Sequence, residues 1–327
     1  MNARGVLRRL RAEVLERVGA HARARLTLDG TAAAILMYHR VLPAAEATAL
    51  DVEPGMFVTP ETFARQLEWL ERSFRVLPLA DVIACLVAGR SLPRGACAIT
   101  FDDGWRDNHV HALPLLGARR LPATIFLVTG RVGTRGAFWP DEACRRFARV
   151  PSRERAALAR ELGLSVAGDT PAQLVAALKP LGEEERARRL EALRARTPAV
   201  VEPERELLDW EEIGQMARAG IAFESHGVSH AILPGLPDDA VARELGRARS
   251  ALAERGLGQG GLLAYPSGAF DGRVKALAHD AGYLAAVTTQ RRIARRADDA
   301  FALPRIGLHQ DVSASRAEFH RLVPGDR

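Results

Sequence analysis

The stretch Ala96-Cys97-Ala98-Ile99-Thr100-Phe101-Asp102-Asp103-Gly104 decides the fold. A short, almost wholly apolar run stops at two carboxylates and a glycine. Such a run predicts a strand buried on both faces, as in a parallel sheet. The same kind of run recurs at residues 32–38, 74–77, 123–128, 221–224, 261–265, 284–288 and 302–308. Between these runs lie helical patterns with readable starts. Thr59-Pro60 offers an N-cap followed by proline at the first helical position. Asp209 with Glu212 forms a capping-box pair, and Pro237-Asp238-Asp239 opens another helix. Seven or eight β-then-α units predict an α/β chain folded as a (β/α) barrel of seven or eight strands, distorted or incomplete. The barrel is expected to span residues 32–327.

Two segments fall outside that rhythm. Residues 141–208 are dense in Arg, Glu, Ala and Leu, contain no strand pattern, and are broken at Pro151, Gly168, Pro180 and Pro198. They predict a helical insertion, either a substrate-facing lid or a solvated excursion. Residues 1–31 hold a basic amphipathic helix, with Leu7, Leu10, Val14 and Val18 on one face and Arg8, Arg9, Arg11 and Arg17 around the rest. Such a helix docks on its domain or touches an anionic membrane surface peripherally.

With 327 residues, 47% hydrophobic and 26% charged, the chain has the composition of a soluble globular protein with a sizeable core. No run approaches the ~20 apolar residues of a membrane span. The N-terminus lacks the apolar core of a secretory signal, which predicts a cytoplasmic location. Three cysteines without metal-type spacing fit a reducing compartment. The net charge of +6 is carried almost entirely by scattered arginine, Lys179 and Lys275 being the only lysines. With no aromatic interleaving, it argues against a nucleic-acid partner.

The chemistry concentrates at predicted strand ends. Asp102 and Asp103 follow their strand directly, on the side where barrel active sites collect. Two adjacent carboxylates are costly there unless a cation or a proton lies between them. Ser225-His226-Gly227-Val228-Ser229-His230 follows the strand at 221–224. Histidines at i and i+4 predict one face of a helical turn, from which both imidazoles reach one ion. Two histidines and one carboxylate leave an open position on a Zn²⁺-like divalent ion, where a water is activated and a carbonyl polarised. The other carboxylate is then free to act as general base. Tyr265-Pro266-Ser267-Gly268 forms a turn able to aim a backbone N–H at an oxyanion. His39 ends the first strand and His309 the last; either can serve as general acid. Trp105 and Trp139 suit either a pocket lining that stacks on a sugar ring or core packing.

In these motifs the chain resembles the polysaccharide deacetylases with the NodB homology domain (carbohydrate esterase family 4) over about residues 32–310. The resemblance rests on Ile99-Thr100-Phe101-Asp102-Asp103-Gly104, Leu121-Pro122-Ala123-Thr124-Ile125-Phe126, Ser225–His230, Ala264–Gly268 and Leu303-Pro304-Arg305-Ile306. It implies Asp102 as the base, and Asp103, His226 and His230 as ligands of a divalent metal. It implies Ser267 as backbone oxyanion donor; from the residues themselves, Tyr265, Pro266 and Trp105 are expected against the substrate. Met37-Tyr38-His39-Arg40-Val41 resembles the branch acting on exopolysaccharide or poly-N-acetylglucosamine chains, where this histidine lies near the site. The implied partner is an N-acetylated glycan. Three departures stand out. Gly227 replaces a Ser or Thr, Ala264 stands where an arginine often steadies the base, and His309 follows Gly307-Leu308 rather than Leu-x-His. Hydrolysis of O-acetyl or non-sugar amide groups, and glycan binding without catalysis, are the rival functions.

Overall fold

The computed structural model describes residues 28–135, 138–166, 168–199 and 205–323. The N-terminal amphipathic segment therefore lies outside the described residues, apart from its last few. Strands β1 (Ala32–Tyr38), β5 (Ala96–Phe101), β6 (Thr124–Leu127), β7 (Ala222–Ser225), β8 (Leu262–Ala264) and β9 (Ala285–Val287) pair side by side in that order, all parallel. The short strand β11 (Ile306–Gly307) pairs parallel with β1, and Leu303 just before it bridges to Val287 of β9. One segment thus touches both ends of the curled sheet and closes a distorted barrel. The two-residue strands β2 (Arg40–Val41) and β3 (Phe57–Val58) form a separate ladder, β4 (Arg75–Val76) adds to β5, and β10 (Ala294–Arg295) runs antiparallel to β1.

Period-two alternation sorts the side chains. Cys97, Ile99 and Phe101 of β5 join Leu36 and Tyr38 of β1 in an outer layer covered by helices Pro60–Ser73 and Trp210–Arg218. Ala96 and Ala98 instead face the barrel interior with Ala33, Ile35, Phe126, Ala264, Val287 and Leu303. Continuing that parity, Thr100 and Asp102 stand on the interior face at the C-terminal end. The interior is built largely of small residues, which leaves room there for larger polar groups.

The predicted helix starts are present. Thr59 Oγ1 accepts from Thr62 N, and Asp209 and Glu212 make a complete capping box. The insertion comprises helices Trp139–Ala148, Ser152–Glu161, Pro171–Leu178 and Glu183–Arg196, which share their own apolar core around Phe147, Leu174 and Leu193. It enters between β6 and β7 and returns at residues 205–208, where Leu207 bridges Trp105. Arg106 N donates to Glu206 O (2.7 Å) and Leu208 N to Gly104 O (2.9 Å). The excursion is thereby stitched onto the loop that follows β5. No helix among the described residues is long and apolar enough to cross a membrane.

Glu212 fastens this junction, accepting from Arg106 Nε (2.8 Å) and Arg205 Nη1 (2.7 Å) while capping its own helix. Burial raises its carboxyl, but the two arginines and the cap outweigh burial and hold it at about 2. A depressed folded-state pKa means stability present above the ordinary value of 4.5 and lost as pH falls toward 2. Because the group is partly solvated, the contribution is about 1 kcal/mol. Glu212→Gln should lower the melting temperature at pH 7, and the gap should narrow toward pH 3. A gap independent of pH would contradict this.

Candidate metal centre and active site

The backbone hydrogen bonds of the sheet run on into the site residues and fix them. Asp102 N donates to Tyr38 O (3.0 Å), His226 N to Leu127 O (2.8 Å) and Tyr265 N to Val287 O (3.2 Å). Asp103 then takes φ +76°, a left-handed conformation uncommon for a non-glycine residue. The reversal sends the two neighbouring carboxylates to different partners.

Asp103 Oδ1 lies 3.4 Å from Nε2 of both His226 and His230. The three ligand atoms fall within 4.8 Å of one another. His226 Nδ1 is 2.7 Å from the carbonyl oxygen of Ala264. A carbonyl only accepts, so Nδ1 carries the proton and the Nε2 lone pair of the neutral ring is free for a metal. Asp103 Oδ2 accepts from Trp105 Nε1 (3.0 Å), while Oδ1 is buried without a hydrogen bond among the described residues. An orphaned buried carboxylate oxygen facing two imidazole nitrogens fits a divalent cation, and one oxygen with two nitrogens is a donor set Zn²⁺ accepts. Burial pushes His230 down to about 4, so at neutral pH it is the unprotonated ring a metal requires. Burial opposes charge on His226 as well, but Asp103 and Asp102 draw it up; the same field favours a cation at this point.

The histidines do not share a helical turn. Residues 226–230 form an irregular loop in which Gly227 has φ +78° and His230 φ +64°. Glu244 of helix Asp238–Ala253 clamps that loop, accepting from Val228 N (2.9 Å), Ser229 N (3.0 Å) and Ser229 Oγ (2.8 Å). A Cβ on Gly227 would stand 3.2 Å from Glu244 Oε2. The glycine that departs from the family pattern therefore suits its backbone, and Ser229 with Glu244 supplies the loop fixing.

Asp102 is paired with Arg305. Nη1 donates to Oδ1 (2.7 Å) and Nη2 to Oδ2 (2.6 Å). The guanidinium is fully buried, with further bonds to Thr100 Oγ1 (3.1 Å) and Thr288 O (3.0 Å). Burial raises the Asp102 carboxyl, but Arg305 and then His226 bring it below the usual carboxylate range. Ala264 is thus no sign of a missing arginine: Asp102 is held by Arg305 from the last barrel segment. Arg305 lies in the Leu303–Ile306 motif, but its role as partner of Asp102 is not evident from the motif alone. The signal was a lone arginine inside an apolar strand-end run, a cation that must find a buried anion.

A family-wide sequence profile described as polysaccharide deacetylase matches residues 89–286, more than half of the chain. The chain belongs to the polysaccharide deacetylase family. YxkH of Bacillus subtilis, named for the same family, is 21% identical over 282 residues, covering 86% of this chain and 73% of that protein. The Streptococcus pyogenes deacetylase PplD in complex with acetate is similar in structure, with TM-score 0.62 and 20% identity over 90% of this chain and 99% of that one. IcaB from Ammonifex degensii has TM-score 0.59 and 20% identity over 89% and 98%. These structures share the fold.

Within this polysaccharide deacetylase the other expected site residues fall in different places. His39 is half-buried, and its charged neighbours are Asp103, Asp102, Arg305 and His226. His309 instead pairs through Nδ1 with Asp311 at the start of a short helix. Pro266 is buried beside Gly227. Ser267 takes φ +55°, and the turn's own bonds use the N–H groups of Gly268 and Ala269. A Cβ on Gly268 would meet Thr289 Oγ1 at 2.1 Å, so only glycine fits there.

Two aromatic assignments need correction. The Tyr265 ring is fully buried, stacked on Phe270 at 5.0 Å with its hydroxyl on Phe301 O (3.0 Å), which leaves it no exposed face. Trp105 is also fully buried, under the Arg40 guanidinium (4.1 Å) and edge-on to Phe138 (5.4 Å). With neither face open, it cannot stack on sugar; it orients Asp103. Trp139 lies under Arg186 in the insertion.

Trp105→Phe keeps the ring packing and removes the N–H that holds Asp103. Metal affinity, measured by competition with a chromophoric chelator, should fall 10–100-fold. Affinity equal to wild type would contradict the orienting role.

Proposed function

We propose that this chain is a metal-dependent N-deacetylase hydrolysing the acetamido group of N-acetylated sugars in a polysaccharide, oligosaccharide or lipid-linked glycan. The observation that carries the reading is the separation of two adjacent carboxylates, Asp103 toward His226 and His230 and Asp102 toward Arg305. Acetate bound to the structurally similar PplD accords with release of that product.

When bound by Asp103, His226 and His230, a divalent ion, with Zn²⁺ the best match, supplies Lewis acidity toward water and the acetyl carbonyl. Asp102 accepts the proton of the attacking water. It is kept ionised by Arg305, and a carboxylate has lone pairs beyond the two that Arg305 occupies. The Ser267 N–H, in a turn whose own bonds use the N–H groups of Gly268 and Ala269, stabilises the oxyanion. A histidine protonates the departing amine. His39 shares the electrostatic field of both aspartates although burial lowers its pKa, and His309 is oriented by Asp311 through Nδ1, so either ring can be the donor.

We also propose that the enzyme is cytoplasmic and that its basic N-terminal segment holds it at an anionic membrane surface. Cell fractionation with and without residues 1–25 tests this; recovery in the soluble fraction in both cases would contradict it.

The metal-loaded protein should release acetate from N-acetylglucosamine oligomers in a panel that also contains O-acetylated substrates. Asp102→Asn should lower kcat at least a hundredfold while the protein still takes up one metal per chain. Release from O-acetyl substrates alone, or undiminished kcat in the variant, would overturn the assignment.

A further inference from the structure

The insertion contributes a carboxylate to the site. Phe138, at its entry, packs on the His230 ring (centroids 5.0 Å apart) and on Trp105. Arg145, about two turns further along in helix Trp139–Ala148, is buried and bonds both oxygens of Glu206 (2.6 and 2.7 Å). Glu206 in turn holds Arg40 (2.8 Å), which lies over Trp105. Phe138 is the N-cap of this helix, and Asp141 and Arg145, four residues apart, share one of its faces.

Asp141 sits between the two anchors. Its charged neighbours are Arg40, Arg145, Asp103 and Glu206, every one of them buried. Yet Asp141 is only half-buried, and its carboxylate has no hydrogen-bond partner among the described residues. Arg145 reaches past it to Glu206, and Arg40 is taken by Asp107 (2.7 Å) and Glu206. The favourable interaction of acids with a helix N-terminus accounts for an acid in this first turn. It does not account for an inward one, because the neighbouring Glu142 fills that role on the outer side with Arg146 and Arg194. The Asp141 carboxylate is thus accessible and unbonded amid buried charges, with Asp103 among the charges that act on it.

We propose that Asp141 is a substrate-binding residue, accepting hydrogen bonds from hydroxyl groups of the acetamido sugar whose acetyl group is cleaved. The inference rests on the deacetylase reading and gives the insertion a direct part in recognition. Burial holds the Asp141 carboxyl up to about 7, so it acts near neutrality as acceptor or donor toward a neutral sugar.

The test uses the full metal-loaded chain. For Asp141→Asn, KM for a chitooligosaccharide should rise at least tenfold while kcat stays within threefold, with melting temperature and metal affinity unchanged. Asp141→Glu should recover part of the loss. Binding is read separately by calorimetry in the Asp102→Asn background, where adding Asp141→Asn should weaken oligosaccharide affinity at least tenfold. Wild-type acetate release reports on the deacetylase reading itself, whereas the calorimetric comparison reports on Asp141 without turnover. Unchanged KM and affinity would overturn the proposal. A tenfold loss of metal affinity, or a kcat loss with KM unchanged, would equally overturn it by making Asp141 a metal-supporting or proton-transferring group.

Discussion

A buried ion pair organises the active end of this barrel. Asp102 and Arg305 lie inside the ring of strands, one at the end of β5 and the other just before β11, 203 positions apart in sequence. Neither charge is tolerable there alone, and removing one partner of such a pair costs about 3–5 kcal/mol. The pair therefore constrains where the closing segment sits. Arg305 also bonds Thr288 O after β9 and Thr100 of β5. Barrel closure and the charge state of Asp102 are thus set by the same guanidinium.

The second constraint follows from the first. With Asp102 committed to Arg305, the neighbouring carboxylate is free to face elsewhere. The left-handed backbone at Asp103 turns it toward His226 and His230. Each member of this centre is held from behind: Asp103 by the Trp105 N–H, His226 by the Ala264 carbonyl, His230 by the Phe138 ring and the Glu244-clamped loop. Trp105 and Phe138 bring the insertion into this support, since one bridges its exit and the other stands at its entry. What looks in sequence like an excursion from the barrel begins and ends beside the candidate metal centre.

Much of this was legible in the residues, for identifiable reasons. Strands buried on both faces announce themselves as apolar runs, so β1 and β5 carry the predicted bounds. The closing strand was read as 302–308 but keeps only Ile306–Gly307, because Pro304 and Arg305 interrupt its ladder. Asp102, Asp103, His226 and His230 were legible because carboxylates and imidazoles at strand ends have few cheaper explanations. Trp105 and Tyr265 misled because an aromatic near a site suits a ligand and a core equally well; burial decides, and burial is a tertiary fact. Arg305 and Arg40 were missed because their meaning lies in partners far away in the chain.

The account turns on one aspartate binding metal while its neighbour does not. The most direct measurement is a crystal structure of the Zn²⁺-loaded protein with anomalous diffraction at the zinc edge. One ion should appear within about 2.0–2.2 Å of Asp103 Oδ1 and of Nε2 of His226 and His230, with Asp102 still bidentate on Arg305. An ion bridging both aspartates, or Asp102 released from Arg305 to ligate it, would contradict the account.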